Sequence, residues 1–388
     1  MTNNKQQAFY ILRAFLREAL AGVFIITVLL SFGCREDEVI ITPEETQVTT
    51  PENNAIRGFY LLNEGNMGTN KASLDFFDAE RGVYQRNIYS YINPSTVKGL
   101  GDVGNDIKIY GSKLYALINC SNKVEVMDVK TAKRLGQIDI QNCRYIQFYE
   151  GFAYVTSYAG PVQVGNSQLG YVAKIDTTDL KIIDECTVGY QPDELAVCDG
   201  KIYVANSGGY DMSKQENTLS VIDINSFDEV KKIAVAPNLH RVQVDKYGKI
   251  WVSSRGDASN QSCLVVLEKS ADRYMVTDTL NVLCSNFTID DDYLYALYAD
   301  KTSSEAITSY VKIDIRSKEV IAERFISNDI SISLPYGIAI HPLTKDIFIS
   351  DAKTYIVPGA IYCFDKNGNL KWNVRTGDIP SSIAFVYK

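Results

Sequence analysis

One short phrase recurs seven times along this chain and restricts its fold more than any other feature. It reads GFYLLNEG at Gly58–Gly65, KLYALINC at Lys113–Cys120, FAYVTSYA at Phe152–Ala159 and KIYVANSG at Lys201–Gly208. It returns as KIWVSSRG at Lys249–Gly256, YLYALYAD at Tyr293–Asp300 and DIFISDAK at Asp346–Lys353. Each copy is an apolar, strand-forming run that ends in small or polar residues. With its aromatic residue as marker (Tyr60, Tyr115, Tyr154, Tyr203, Trp251, Tyr295, Phe348), the steps are 55, 39, 49, 48, 44 and 53 residues. Self-similarity at this period marks a solenoid or a propeller, in which one unit buries its apolar face on the next.

The flanks of each phrase decide between the two. Taking Lys201–Ser207 as strand B, an apolar strand A precedes it at Glu194–Gly200. Strand C follows at Leu219–Asp223 and strand D at Glu229–Val235. No amphipathic run of helical length interrupts the repeats. Four-stranded antiparallel units in series make an all-β fold, a seven-bladed β-propeller. The first phrase has no strand A before it, and Pro380–Tyr387 is a strand A with no B after it. The C-terminal strand is therefore expected to complete the first blade and close the ring over residues 58–388, which removes the open edges. Deleting Ile379–Lys388 should open the ring; a truncated protein with unchanged thermal stability would refute this.

Charge and motif content narrow the function. The net charge is −8 and the pI about 5.1, with no basic stripe to meet a nucleic-acid backbone. Only His240 and His341 are present, and there is no GxSxG, Walker loop, CxxC or CxxCH. The expectation is a protein that is not an enzyme, with no metal and no cofactor. Strand C ends in Asp78, Asp128, Asp176, Asp223, Glu268, Asp314 and Asp365. These acids suit tight C–D turns, where the carboxylate accepts from backbone N–H groups.

The N-terminus reads as an export signal. Lys5, Arg13 and Arg17 precede the apolar run Ala19–Leu30, which leads to Ser31-Phe32-Gly33-Cys34. Residues 1–33 are expected to be a lipoprotein signal peptide, with Cys34 the lipidated residue. Residues 34–57, acidic at first and then rich in Thr, Pro and Glu, are expected to be a flexible tether. In an exported protein the other cysteines suggest oxidation. Cys120 with Cys143 and Cys263 with Cys284 occupy equivalent places on neighbouring blades and are the expected disulfides. Cys186 with Cys198 is a weaker pair, and Cys363 is left over.

The B–C and D–A turns share one face of the ring and are rich in Tyr, Asn, Gly, Ser and Arg, as in Ser157–Pro161 and Asn206–Tyr210. The starts of the A strands ring the channel mouth on that face. Ligand-binding candidates are Asn63, Glu64, Asn105, Asp106, Arg144, Tyr158, Asp193, Asn206, His240, Arg255, Asn286 and Tyr336. Amide, hydroxyl and guanidinium groups gathered there suit a large ligand with many amide edges.

The YVAN of Tyr203–Asn206 and the strand–Asp repeat resemble the YVTN or YncE-like propellers. More narrowly, LLNEGNMGTNKASLDFFD (Leu61–Asp78), GDVGNDIKIYGSKLYALINCSNKVEVMDVKTAK (Gly101–Lys133) and NCRYIQFYEGFAYVTSYAGPVQ (Asn142–Gln163) resemble the BtuG family of Bacteroides surface lipoproteins. The resemblance implies a lipid-anchored, cell-surface outer-membrane protein. It implies capture of cobalamin and related corrinoids, with delivery to a TonB-dependent outer-membrane transporter. The alternative is an adhesin or glycan-binding propeller of the same architecture.

Overall fold

The strand phrase KIYVAN at Lys201–Asn206 is buried at every position but the first, and so are KLYALI and FAYVTS. A strand solvated on one face would alternate. Burial on both faces means that each blade is covered by a neighbour on either side. The D strands run at the rim instead: Lys181–Thr187 and Glu229–Ala234 are largely exposed.

A computed structural model describes residues 42–97, 99–160, 168–209, 215–300 and 307–388. Among them seven antiparallel four-stranded blades form a ring, strands A to D running from the channel outward. Strand A of blades two to seven is Gly104–Tyr110, Cys143–Tyr149, Pro192–Cys198, Leu239–Val244, Asn286–Asp290 and Pro335–Ile340. Blade one takes its inner strand from the C-terminus: Pro380–Tyr387 pairs antiparallel with Ile56–Asn63, Phe385 opposite Phe59. The closure expected from the sequence is thus present. At this seam a Cβ on Gly337 of blade seven would lie 1.9 Å from the Ser381 carbonyl oxygen, so only glycine lets the two inner strands approach.

The hydrophobic core is divided by interface. One cluster joins Tyr115 and Val126 of blade two to Ile146 and Val155 of blade three. Another joins Tyr203 and Val221 to Val242 and Val265, and a third joins Leu264 and Val266 to Phe287 and Leu294. The seam has its own, where Phe59 packs edge-on against Phe348 at 4.9 Å and Trp372 lies 5.1 Å from Phe77. The repeated aromatic marker is therefore a blade-to-blade contact.

The acids ending strand C behave as turn residues. Asp223 Oδ1 accepts from the Asn225 and Ser226 N–H groups, and Asp314 Oδ1 from those of Arg316 and Ser317. Asp365 accepts from Asn367 and Asn369 in the same way. Glu268 departs from the pattern and pairs with Lys249 and Lys318.

Two expectations are corrected. The tether does not extend to Arg57: Glu44–Gln47 is a fifth strand on the outer edge of blade one, paired with Val83–Arg86. Ion pairs of Glu45 with Arg81 and Glu44 with Arg86 hold it there, and Val48 packs into the seam cluster. A run of polar side chains can pair as an edge strand because the ladder uses backbone groups. The expected disulfides are also absent: all seven described cysteines are free thiols. Cys143 Sγ donates to the Lys123 carbonyl at 3.2 Å and Cys120 Sγ to Asn119 Oδ1 at 3.3 Å, each turned to its own acceptor. Cys284 Sγ donates to the Asn286 carbonyl at 3.5 Å, and Cys198 Sγ lies 3.1 Å from the Tyr274 hydroxyl. The expected signal peptide, Cys34, Pro161 and Tyr210 lie outside the described residues. No helix among the described residues is long and apolar enough to cross a membrane.

Candidate functional site at the channel mouth

The inner strands are stapled to one another by side chains that reach from one blade to the next backbone. Asp106 of blade two accepts from the Ile146 N–H of blade three at 3.2 Å. Glu194 of blade four accepts from the Val242 N–H of blade five at 2.8 Å, and Gln243 repeats the step to Ile289. Asn105 Nδ2 donates to the Arg144 carbonyl, and Asn286 Nδ2 to that of Tyr336. Backbone groups on the inner strands of blades three, five, six and seven, which would otherwise face the channel, thus find partners on the preceding blade.

Above this stapled ring the mouth opens into one cavity of about 720 Å³, to which every blade contributes. Glu64 and Ser381 come from blade one, Asn105 and Asn119 from blade two, Arg144 and Tyr158 from blade three. Gly209 belongs to blade four, His240 and Arg255 to blade five, Asn286 to blade six, and Tyr336 and Tyr355 to blade seven.

One wall is ionic. Asp193 is fully buried behind it and accepts from Arg144 Nε and Nη2, both at 3.2 Å, and from the Tyr158 hydroxyl at 2.9 Å. Its other oxygen accepts from Arg255 Nη1 at 3.0 Å and lies 3.0 Å from His240 Nδ1. Burial would raise this carboxyl, but Arg144, Arg255 and His240 outweigh it and hold it well below the usual carboxylate range. His240 is pushed down to about 3 by burial and by the Arg255 charge, so its imidazole is neutral at physiological pH. Beside it Arg241 lies 5.1 Å from the Tyr145 ring and pairs with buried Glu194, Nε to Oε2 at 3.2 Å. Arg144 in turn lies over the Tyr158 ring at 4.7 Å.

The facing wall carries fewer charges. The Tyr336 hydroxyl donates to Glu64 Oε1 at 3.0 Å, and Tyr355 meets the Tyr336 ring edge-on at 5.9 Å. Burial pushes the Glu64 carboxyl up to about 7, against smaller downward pulls from Tyr336 and Arg144.

Of the residues expected to bind ligand, Glu64, Asn105, Arg144, Tyr158, His240, Arg255, Asn286 and Tyr336 line this cavity. Asp193 stands behind Arg144 and Arg255, and Asp106 is a blade-to-blade staple. Asn63 and Asn206 lie elsewhere. Asn206 is buried at the end of its strand, accepting from the Gly189 N–H and donating to Thr218 and Ser220. Asn63 likewise donates to Ser73. Sequence reasoning missed Asn238 and Tyr355 in the cavity wall; Tyr355 sits at φ 63° in a loop with no repeat counterpart.

The fold and this mouth define the class: a seven-bladed β-propeller with a tyrosine-lined cavity of mixed polar and apolar character at one end of its channel. Residues 57–378 match the domain of unknown function DUF5074, and the chain belongs to that family. No curated protein matches. Among solved structures it is similar to a functionally unknown protein from Desulfotomaculum acetoxidans (TM-score 0.61, 12% identity, covering 85% of this chain and 99% of that one). It is also similar to a quinonprotein alcohol dehydrogenase-like protein from Bacteroides thetaiotaomicron (TM-score 0.59, 16% identity, covering 86% and 79%). A third is the hydrazine synthase of Kuenenia stuttgartiensis (TM-score 0.60, 16% identity, covering 72% and 89%). At these identities the likeness is one of fold alone.

Proposed function

We propose that this protein is a non-catalytic capture protein for cobalamin and related corrinoids, which it delivers to a TonB-dependent outer-membrane transporter. One observation carries this reading: all seven blades place residues around a single cavity, so a ligand at its centre is addressed from every side. A corrin ring presents amide arms around its whole perimeter. Asn, Ser and Arg side chains match those arms, and Tyr145, Tyr158, Tyr336 and Tyr355 offer ring faces and edges to the apolar stretches between them. Neutral His240, packed between Asp193, Arg255 and the Tyr145 ring, serves as wall rather than as a general base.

In this reading the anchor is the lipid on Cys34. The strand at Glu44 begins ten positions later, a span of at most about 35 Å when fully extended. The propeller would then be held close to the membrane, within reach of a transporter.

The test is direct. The purified protein, mixed with cyanocobalamin and desalted, should retain the red absorbance in one-to-one ratio. A colourless protein with an unshifted melting temperature rejects corrinoid binding, and a glycan array would then examine the adhesin alternative.

A further inference from the structure

Two arginines from different blades converge on one carboxylate at the cavity wall. Asp193 is fully buried, whereas Arg144 and Arg255 both line the cavity. The carboxylate therefore sits behind the guanidinium groups and sets their direction, and Tyr158 braces the same oxygen as Arg144. Two long side chains fixed before binding lose little rotamer freedom when a ligand arrives. Planar guanidinium groups match the paired oxygens of a phosphate or carboxylate.

His240 adds a competition. Its Nδ1 lies 3.0 Å from Asp193 Oδ2 and 2.7 Å from Arg255 Nη2. One ring nitrogen either donates to the carboxylate or accepts from the guanidinium, not both. An anionic acceptor inside the cavity would draw Arg255 to itself and leave Nδ1 to Asp193. Arg255 is the arginine placed to respond, since 37% of its side chain is exposed against 10% for Arg144.

We propose that Arg144 and Arg255 form a subsite for a phosphate ester of the bound molecule, with Asp193 as the positioning residue behind them. The proposal rests on the corrinoid reading, in which that group is the phosphodiester joining the nucleotide loop to the corrin. In cyanocobalamin this is the anionic group of the periphery, the other arms being neutral amides.

Calorimetry on the full chain, wild type and Arg255→Gln, with cyanocobalamin and with dicyanocobinamide, tests it. Cobinamide keeps the corrin and lacks the phosphodiester. The wild type should prefer cobalamin by roughly tenfold or more, the scale of one charge-assisted hydrogen bond. In Arg255→Gln the preference should shrink to about threefold or less. General damage to the fold would weaken both ligands together and leave the ratio intact. Equal affinities in the wild type, or a preference that survives the substitution, overturn the subsite while leaving corrinoid capture standing. If neither corrinoid binds the wild type, the capture reading fails by itself, and dimethyl phosphate becomes the probe. Saturable binding to the wild type that weakens about tenfold in Arg255→Gln supports the subsite; no saturable binding overturns it.

Discussion

Two carboxylates stand on opposite walls of the same cavity and titrate in opposite directions. Asp193 and Glu64 both suffer desolvation, and in both it is the largest influence. Asp193 answers it with two guanidinium groups, an imidazole and a phenol, and stays ionised. Glu64 has a phenol at 3.0 Å and a more distant Arg144, and its carboxyl rises to about 7. Burial alone does not decide the charge of a group; what is buried with it does. The mouth is thus divided into an ionic wall from blades three to five and a largely neutral wall from blades one and seven.

The largest expected effect falls on the ionic wall. Asp193→Ala leaves Arg144 and Arg255 beside each other without their shared carboxylate. It should cost about 3–5 kcal/mol in urea denaturation, the usual consequence of removing one partner of a buried ion pair. A cost below about 1 kcal/mol would mean that the wall is not held together by Asp193.

The two walls should also respond to pH with opposite sign. The unfolded His240 imidazole takes up a proton near 6.5, while the folded one resists until about 3. Between those values the unfolded chain binds more protons, so stability is full above pH 6.5 and falls as the pH drops. His240→Gln should remove about 2 kcal/mol of the loss between pH 6.5 and 5, read from denaturation midpoints. Identical acid profiles for the two proteins would contradict a buried, neutral His240.

Glu64 acts the other way and more weakly. Folded, it protonates near 7; unfolded, near 4.5. The folded chain binds more protons in that window, so stability falls as the pH rises through it. Glu64→Gln should flatten that slope, by about 1 kcal/mol at pH 8 given the partial solvent access of the mouth. A wild-type profile without the slope would place an unrecognised cation beside Glu64.

The smallest effect belongs to the thiols that border the ionic wall. With Cys120 and Cys143 as free thiols, reductant should move the melting temperature by less than about 1 °C. A bridge closing a loop of this size would add about 3 kcal/mol, and its loss would be conspicuous.

The repeated phrase made the blades legible because its physics is local. Tyr203 and Trp251 must be strand-formers, must be apolar and must recur at blade spacing, and all three properties are written in the chain. The turn acids were legible for the same reason, since Asp314 binds N–H groups two and three residues away. The cavity was legible only in outline. Arg144, His240 and Tyr336 follow from the rule that strand A starts at the mouth. Asn206 ends a B strand on the same face but stays out of the cavity, because its side chain turns into the blade toward Thr218 and Ser220. Tyr355 was hidden because a loop in the left-handed region has no repeat to announce it. The strand at Glu44–Gln47 was hidden because edge pairing needs no apolar side chains.

By itself, then, the sequence determined the blade, its number and the closing of the ring, because these depend on short-range alternation repeated at a fixed interval. The tertiary structure alone decided that Asp193 would meet Arg144, Tyr158, His240 and Arg255, residues 35 to 62 positions away along the chain. No local pattern encodes that meeting. It arises because closing a ring brings the inner strands of separate blades to one axis, where each buried charge must find its partner in another repeat.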